Sequence, residues 1–161
     1  MIQPEYLGPY IGSNVIAVAL IVVAVLRPKI ARAIFALIFL AAGAFNAYTA
    51  LTQPEAYLAY GELTFFPFYR DFIDGVFSSY TAIFVLAIAA GQLIVGILLA
   101  TASRNILLTL GVIGAIIFLT AIAPLGIGSA FPFSIFAITA LVVMALKLRR
   151  QQTAAASSAG G

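Results

Sequence analysis

The sequence predicts an all-α membrane protein, a bundle of five transmembrane helices with an aromatic, acidic extramembrane cap between the second and third helices. Composition is the first reason: 64% of the 161 residues are apolar and only 8% are charged, with a mean hydropathy of +1.17. These values lie far outside the usage of soluble globular domains. The second reason is that the apolar residues form long runs, and the third is that the few charges are sorted by sign between those runs.

Each of the five apolar runs is about as long as the ~17 to 25 residues that a helix needs to cross a bilayer. Several contain clusters of small residues, such as AAGA at 41–44, which allow a neighbouring backbone to approach closely. Prolines at Pro28 and Pro124 mark points where a helix begins or ends. The runs predict a single transmembrane domain over 1–148, with helices at about 10–26, 30–51, 80–100, 106–123 and 131–148.

The first apolar run and the C-terminal tail lie at the two ends of the chain. A cleaved signal peptide competes with the first helix, but no basic residue precedes that run and Arg27 and Lys29 follow it. This is the reverse of the polarity of a signal peptide, so we predict a retained anchor helix. At the other end, residues 149–161 begin with two arginines and continue in alanine, serine and glycine, which is typical of a disordered tail.

The sign of the charges predicts which way the bundle faces. The predicted cap, the 52–79 segment, holds four of the five acids and a single basic residue, Arg70. Segments 27–32, 101–105 and 147–161 hold the other seven of the eight basic residues, Arg104 among them, and no acid. Because basic residues concentrate in cytoplasmic loops, we expect the N-terminus outside and the C-terminus inside a prokaryotic cytoplasmic membrane.

Several classes of function are disfavoured by what the sequence lacks. It has no cysteine, histidine or tryptophan, so thiolate or imidazole metal sites, His-ligated haem and Cys- or His-based catalysis are excluded. No ionisable residue lies in the middle of a predicted span, which argues against proton or ion coupling. The net charge of +3 is explained by membrane topology, so we expect no nucleic-acid partner.

The 52–79 segment is the first place where a site is expected. Its aromatic residues are typical of the interfacial belt of a membrane protein. Alternatively, Phe65, Phe68 and Phe72 follow helical spacing, with Tyr69, Arg70 and Asp74 on the same segment, and predict an amphipathic helix that docks a partner or roofs a pocket. The nearby carboxylates Asp71 and Asp74 lie beside Arg70 in a water-facing loop, so we expect a solvated surface there and not a catalytic pair.

Uncharged polar residues inside the spans are the second place. A rise of ~1.5 Å per residue puts Gln92 and Thr139 ~13 Å from the inner ends of their helices, and Asn46 and Thr120 ~22–24 Å. We therefore expect Gln92 to pair with Thr139 and Asn46 with Thr120, and no direct bond between Asn46 and Gln92. Such bonds typically hold helices together. In the alternative interpretation, Asn46, Tyr48, Thr49 and Thr120 face a shared cavity beneath the cap and bind the polar head of a ligand.

Three stretches resemble the DoxX-like small integral membrane proteins. These are FLAAGAFN at 39–46, a proline-containing aromatic loop that begins near Pro54, and QLIVGILLA at 92–100. The resemblance covers about residues 30–148, although this chain has an additional N-terminal helix and Gln92 where the family pattern tends to have an acid. It implies a compact helical bundle associated with membrane redox complexes, generally as a partner and not as the catalyst.

Taken together, these observations predict a non-catalytic accessory or scaffolding subunit of a larger membrane complex, in contact with membrane lipids and with other membrane protein subunits. The alternative is a binding protein or facilitator for a lipid, a quinone or another small apolar molecule, with its pocket under the 52–79 segment. An enzyme that uses Asp71, Asp74 or Tyr69 ranks third. The candidate contact residues are Asn46, Tyr48, Thr49, Tyr69, Arg70, Asp74, Gln92 and Thr120.

Overall fold

A computed structural model describes residues 4–102 and 105–159 of the chain. Within these two stretches every regular element is a helix, so the prediction of an all-α fold is confirmed. Five helices are long and two are short. They are α1 (Pro4–Leu26), α2 (Pro28–Thr52), α3 (Tyr60–Leu63), α4 (Pro67–Phe72), α5 (Thr81–Thr101), α6 (Asn105–Ile122) and α7 (Phe133–Ala159).

Within the described residues, three stretches are long and apolar enough to cross a membrane: Pro28–Thr52, Thr81–Thr101 and Ile106–Ile127. A shorter apolar helix covers Tyr10–Leu26. The outward surfaces of the three long stretches are apolar, with Leu37 and Ile83 each 67% exposed and Ile117 63% exposed. Large aliphatic side chains in such number on an outer surface are typical of a lipid-facing protein.

Helices α2 and α5 form the most extensive pair in the bundle, and α1 packs mainly against α7. Helix α6 contacts both α5 and α7, while α2 also contacts α7. The side chains between them are apolar and almost fully buried, for example those of Phe35, Leu99, Leu141 and Met144. The core therefore runs along the contacts among all five long helices.

Two glycines allow α2 and α5 to approach closely, as expected from the small-residue clusters. A Cβ on Gly43 would lie 3.0 Å from the Ala89 carbonyl oxygen, and a Cβ on Gly96 would lie 2.7 Å from Cγ of Leu40. Gly91, by contrast, has open space around it. Close backbone contact of this kind provides the van der Waals packing that joins helices in a bilayer.

One end of the α2–α5 pair is closed by Arg32. Its Nε donates to the Leu99 carbonyl, and its Nη2 donates to the carbonyls of Ala100 and Ala102 at 3.2 and 2.8 Å. The last carbonyls of a helix have no partner within the helix and lie at the negative end of its dipole, so a guanidinium is well suited to them. Arg104, predicted on this same side, lies outside the described residues.

The C-terminal end of the chain differs from the prediction of a disordered tail. Helix α7 passes through Arg149 and Arg150 and continues to Ala159. Alanine has the highest helix propensity, and extending a packed helix avoids the cost of nucleating a new one. Composition alone does not reveal this, because it ignores the helix from which the tail continues.

The 52–79 segment is helical but broken. A 3₁₀ turn at Pro54–Tyr57 precedes α3 and α4, and a π-helical turn at Ile73–Phe77 follows them. The helical spacing predicted for Phe65, Phe68 and Phe72 holds only in part, because Phe65 precedes α4, which begins at Pro67. The helix continues past Phe72 into the π-helical turn, and the break in backbone angles lies at Gly75.

Contacts with the connection between α6 and α7 hold this segment in place. Thr64 Oγ1 and the Phe65 amide both donate to the Pro124 carbonyl, at 2.8 and 3.0 Å. Gly126 lies in the same connection with φ +63°, and a Cβ there would lie 2.6 Å from the Leu63 carbonyl oxygen. Only glycine fits both this conformation and this close approach.

Candidate binding cavity beneath the 52–79 segment

A cavity of about 410 Å³ lies between the 52–79 segment and the helix bundle. It lies where α2 and α6 end and α5 begins, at the opposite end of the α2–α5 pair from Arg32. Six of its lining residues are aromatic. The full lining is Asn46, Tyr57, Tyr60, Tyr69, Phe72, Ile73, Phe77, Val85, Ile88, Phe118, Ala121, Ile122, Leu125 and Ser129.

Phe72 and Phe77 line one side of this cavity and form a ring cluster with Phe84, which does not line it. The ring of Phe72 lies 5.9 Å from that of Phe77 and 5.6 Å from that of Phe84, and Phe77 and Phe84 are 5.7 Å apart between centroids. Ile73, Phe77 and Val85 form a small buried core around it, separate from the main one. Ring contacts at these distances fix side chains beyond what burial alone achieves, so the wall is preformed.

A chain of neutral hydrogen bonds reaches the cavity from the bundle interior. The Tyr57 hydroxyl donates to Oδ1 of Asn46 at 2.7 Å, and Nδ2 of Asn46 donates to Oε1 of Gln92 at 2.7 Å. Gln92 is only 3% exposed, whereas Asn46 is half-buried and lines the cavity. A carboxamide has two N–H donors and two acceptor lone pairs, so Asn46 keeps one of each beyond these two bonds.

The bond between Asn46 and Gln92 contradicts the pairing expected from depth. Helices α2 and α5 are antiparallel, with Arg32 against Leu99 and Leu40 against Gly96. Side chains on a helix lean toward its N-terminus. Asn46 therefore leans toward the Arg32 end of the bundle, and Gln92 leans the opposite way. The two amides meet because their side chains bridge the difference in depth between their backbones.

The partners expected for these amides lie elsewhere. Thr139 is exposed and donates to the Ile135 carbonyl of its own helix at 2.9 Å, and Thr120 is exposed on α6. Tyr48 is 67% exposed on the outer surface of α2. Of the four residues expected to face a shared cavity, Asn46 lines it, while Tyr48 and Thr120 do not.

Tyr57 is the first residue of the hydrogen-bond chain, and Thr49 lies beside it. Burial raises the pKa of the Tyr57 phenol above its ordinary value of 10.0, and the neighbouring Thr49 hydroxyl opposes this by lowering it. The phenol is therefore protonated throughout the physiological range and is available as the donor to Asn46. Thr49 does not line the cavity but supports the residue that does.

The candidates on the 52–79 segment divide into two places. Tyr69 lines the cavity, and its hydroxyl donates to the Ala121 carbonyl at 3.0 Å, which joins α4 to the end of α6. Arg70 and Asp74 are exposed and flank Gly61 in a separate surface depression. Arg70 Nε donates to the Gly61 carbonyl at 3.1 Å. Arg70 therefore supports the fold of the segment, and both charges lie outside the cavity.

Sequence reasoning did not single out Tyr57, Tyr60 or Phe118 as cavity residues. The signal for Tyr57 was available, since it lies eleven residues after Asn46, beyond a Gln53–Pro54 break that returns the chain toward α2. Phe118 gives no such signal, because one phenylalanine in an apolar helix is indistinguishable in sequence from a lipid-facing one.

The cavity is thus lined by aromatic rings and neutral polar groups. Flat rings and aliphatic chains fit such walls, and the free donor and acceptor of Asn46 suit a carbonyl or hydroxyl. Comparison with protein families, with curated proteins and with solved structures finds no match for this chain. The resemblance to the DoxX-like proteins therefore stays a prediction.

Proposed function

We propose that this protein is a non-catalytic binding protein of the membrane that holds a small uncharged molecule, of the chemical class of a quinone or a neutral lipid, beneath the 52–79 segment. The observation that carries this proposal is the polar end of the cavity, where Asn46 is held by Tyr57 and Gln92 inside an aromatic enclosure. Its volume of about 410 Å³ falls within the range of small-molecule sites, ~300–1,000 Å³.

The chemistry of the lining favours an uncharged ligand. No Asp, Glu, Lys or Arg is among the described residues that line the cavity, and a buried charge without a partner is very costly. A ring that carries a carbonyl accepts a hydrogen bond from the second N–H of Asn46 and stacks on aromatic neighbours. An acyl or isoprenoid tail is accommodated by the aliphatic part of the lining.

The proposal includes a topology of five spans, with the N-terminus outside and the C-terminus in the cytoplasm. Two features of the bundle support it. Arg32 and Lys29 meet residues of the α7 extension, the part of α7 from Arg149 to Ala159, at one end of the bundle. The acidic 52–79 segment packs on the other end. This separation agrees with the distribution of basic residues in membrane proteins with short loops.

The absence of cysteine makes the topology directly testable. In intact cells, a membrane-impermeant maleimide should label Asp74→Cys, and it should label Arg150→Cys only after the membrane is opened. Both positions are exposed, so labelling reports the side of the membrane and not burial. Labelling of both variants from the same side would contradict the five-span arrangement.

Ligand binding is tested with a short-chain quinone carrying a ten-carbon tail. The purified protein should retain it in native mass spectrometry, and Asn46→Leu should weaken its affinity about tenfold, the effect of losing one hydrogen bond in an apolar site. Thr120→Val is the matched control, because Thr120 is exposed outside the cavity. Equal affinities for the wild type and Asn46→Leu would contradict a site at Asn46.

A role as an accessory subunit remains a second proposal, and one observation favours it. The 52–79 segment exposes Phe65, Phe66 and Phe68, the last at 76%, although the ring of Phe65 also contacts that of Phe131. Exposed aromatic patches typically mark interfaces with other proteins. Purification in mild detergent should then recover a stoichiometric partner that Phe68→Ser releases, while Phe45→Ser on α2 should leave the complex intact.

A further inference from the structure

A second concave surface lies at the opposite end of the bundle, between α2, α5 and the extension of α7. This groove of about 730 Å³ is distinct from the cavity beneath the 52–79 segment. Its upper end, near the start of α2, is polar, with Lys29, Arg32 and the two glutamines at 151 and 152. Its lower part, further along α2, is aliphatic and is formed mainly by alanines and leucines of that helix.

From this groove, we propose that the protein binds one anionic phospholipid of the cytoplasmic leaflet. The phosphate is held at Lys29 and Arg32, and an acyl chain follows Leu37 and Leu40 along α2. The inference rests on the membrane orientation proposed above and is independent of the cavity and its ligand. An anionic phospholipid suits both halves of the groove, because it joins a negatively charged headgroup and an apolar chain in one molecule.

The charge of the upper end supports this choice. Arg32 uses Nε and Nη2 for the carbonyls at the end of α5, and a guanidinium has five N–H donors in all. Its Nη1 therefore remains for a phosphate. Lys29 is exposed, and no hydrogen bond ties its ammonium to another described residue. Among the described residues that line the groove there are two basic side chains and no acid.

The length of the groove supports it as well. From Lys29 to Leu40 the helix rises about 16 Å at ~1.5 Å per residue. One leaflet contributes about half of the ~30 Å hydrocarbon core. The groove therefore extends from the headgroup level to about the middle of the bilayer, which is the depth of one lipid. Leu37, 67% exposed, leaves its side open to the surrounding lipid.

The experiment uses the purified protein in detergent and native mass spectrometry with phosphatidylglycerol. Lys29→Gln should weaken its affinity about fivefold, which corresponds to about 1 kcal/mol for one basic residue near an anionic headgroup. Ala33→Phe fills the groove beside Arg32 without changing any charge, and it should also weaken binding. Arg150→Gln is the matched control, since Arg150 is exposed at the same end but does not line the groove.

Three results would overturn the proposal. The first is equal affinity for phosphatidylcholine, because the groove would then not select a negative charge. The second is an equal loss in Arg150→Gln, because attraction would then come from the whole basic end. The third is unchanged affinity in both Lys29→Gln and Ala33→Phe. Inorganic phosphate should not compete at millimolar concentration if the acyl chain contributes to binding, and retained quinone binding in these variants would show that the cavity is intact.

Discussion

The two ends of the α2–α5 pair are closed in different ways. At one end Arg32, a permanently charged donor, binds three carbonyls. Two are in the terminal turn of α5, and the third belongs to the adjoining Ala102. At the other end two neutral amides, Asn46 and Gln92, meet beside a cavity. The first end therefore satisfies the helix terminus with charge, and the second joins the helices while leaving a space that another molecule is able to fill.

This difference indicates that the two ends of one interface contribute unequally to stability, whatever molecule each end binds. A charge-assisted bond contributes more than a neutral one, about 1.5–3 kcal/mol against ~1 kcal/mol. The neutral end loses little stability if its polar groups exchange partners when a ligand enters. Variants along the α2–α5 pair test this difference between its two ends.

The largest effect is expected between the two ends, where Gly96 contacts Leu40. Gly96→Leu should lower the free energy of unfolding by about 3 kcal/mol, because the first added carbon already overlaps Cγ of Leu40 and the helices must separate. Thermal melting followed by circular dichroism in detergent measures this. Gly91→Leu, on the same helix with open space around it, should melt near the wild type. Equal destabilisation by both would show that a bulky side chain anywhere on α5 causes the loss, and not the close approach at Gly96, because leucine has a higher helix propensity than glycine.

The next effect is at the charged end. Arg32→Gln should cost about 2 kcal/mol, because the carbonyls at the end of α5 lose a charged donor. Arg32→Lys should recover only part of it, since an ammonium lacks the planar fork that binds several carbonyls at once. Binding of the quinone at the other end should persist in both variants. If Arg32→Gln melts like Arg150→Gln, the closure contributes no more than a surface charge.

The long helices were predictable because a continuous apolar run of membrane-spanning length is a strong local signal. The prediction of 30–51 for α2 agrees with Pro28–Thr52, and 80–100 for α5 agrees with Thr81–Thr101. The Asn46–Gln92 bond was not predictable from depth, because the direction in which side chains lean decides it. The cavity required the fold of the 52–79 segment, which depends on contacts with residues near Pro124 that lie far away in the sequence.

A double-mutant cycle tests whether the neutral end is weakly coupled. Gln92→Leu should cost about 1 kcal/mol, because Asn46 loses its acceptor. Asn46→Leu combined with Gln92→Leu should cost less than the sum of the single variants, with a coupling of about 0.6 kcal/mol, the average for hydrogen bonds between helices in membranes. A coupling energy far above that value would mean that the neutral end contributes as much to stability as the charged end. The proposed difference between the two ends would then be wrong.

The smallest effect concerns pH and again separates the two ends. Because burial raises the pKa of Tyr57 in the folded protein above 10.0, the unfolded chain loses this proton first as pH rises. The contribution of the neutral phenol is thus complete below pH 10 and is lost as pH rises through the folded pKa. Melting temperature should therefore fall above about pH 10, and Tyr57→Phe should reduce the slope. Tyr48→Phe, on the outer surface of α2, should keep the wild-type slope. If Tyr57→Phe also keeps it, the alkaline loss arises elsewhere and the phenol is not the group that joins the 52–79 segment to Asn46.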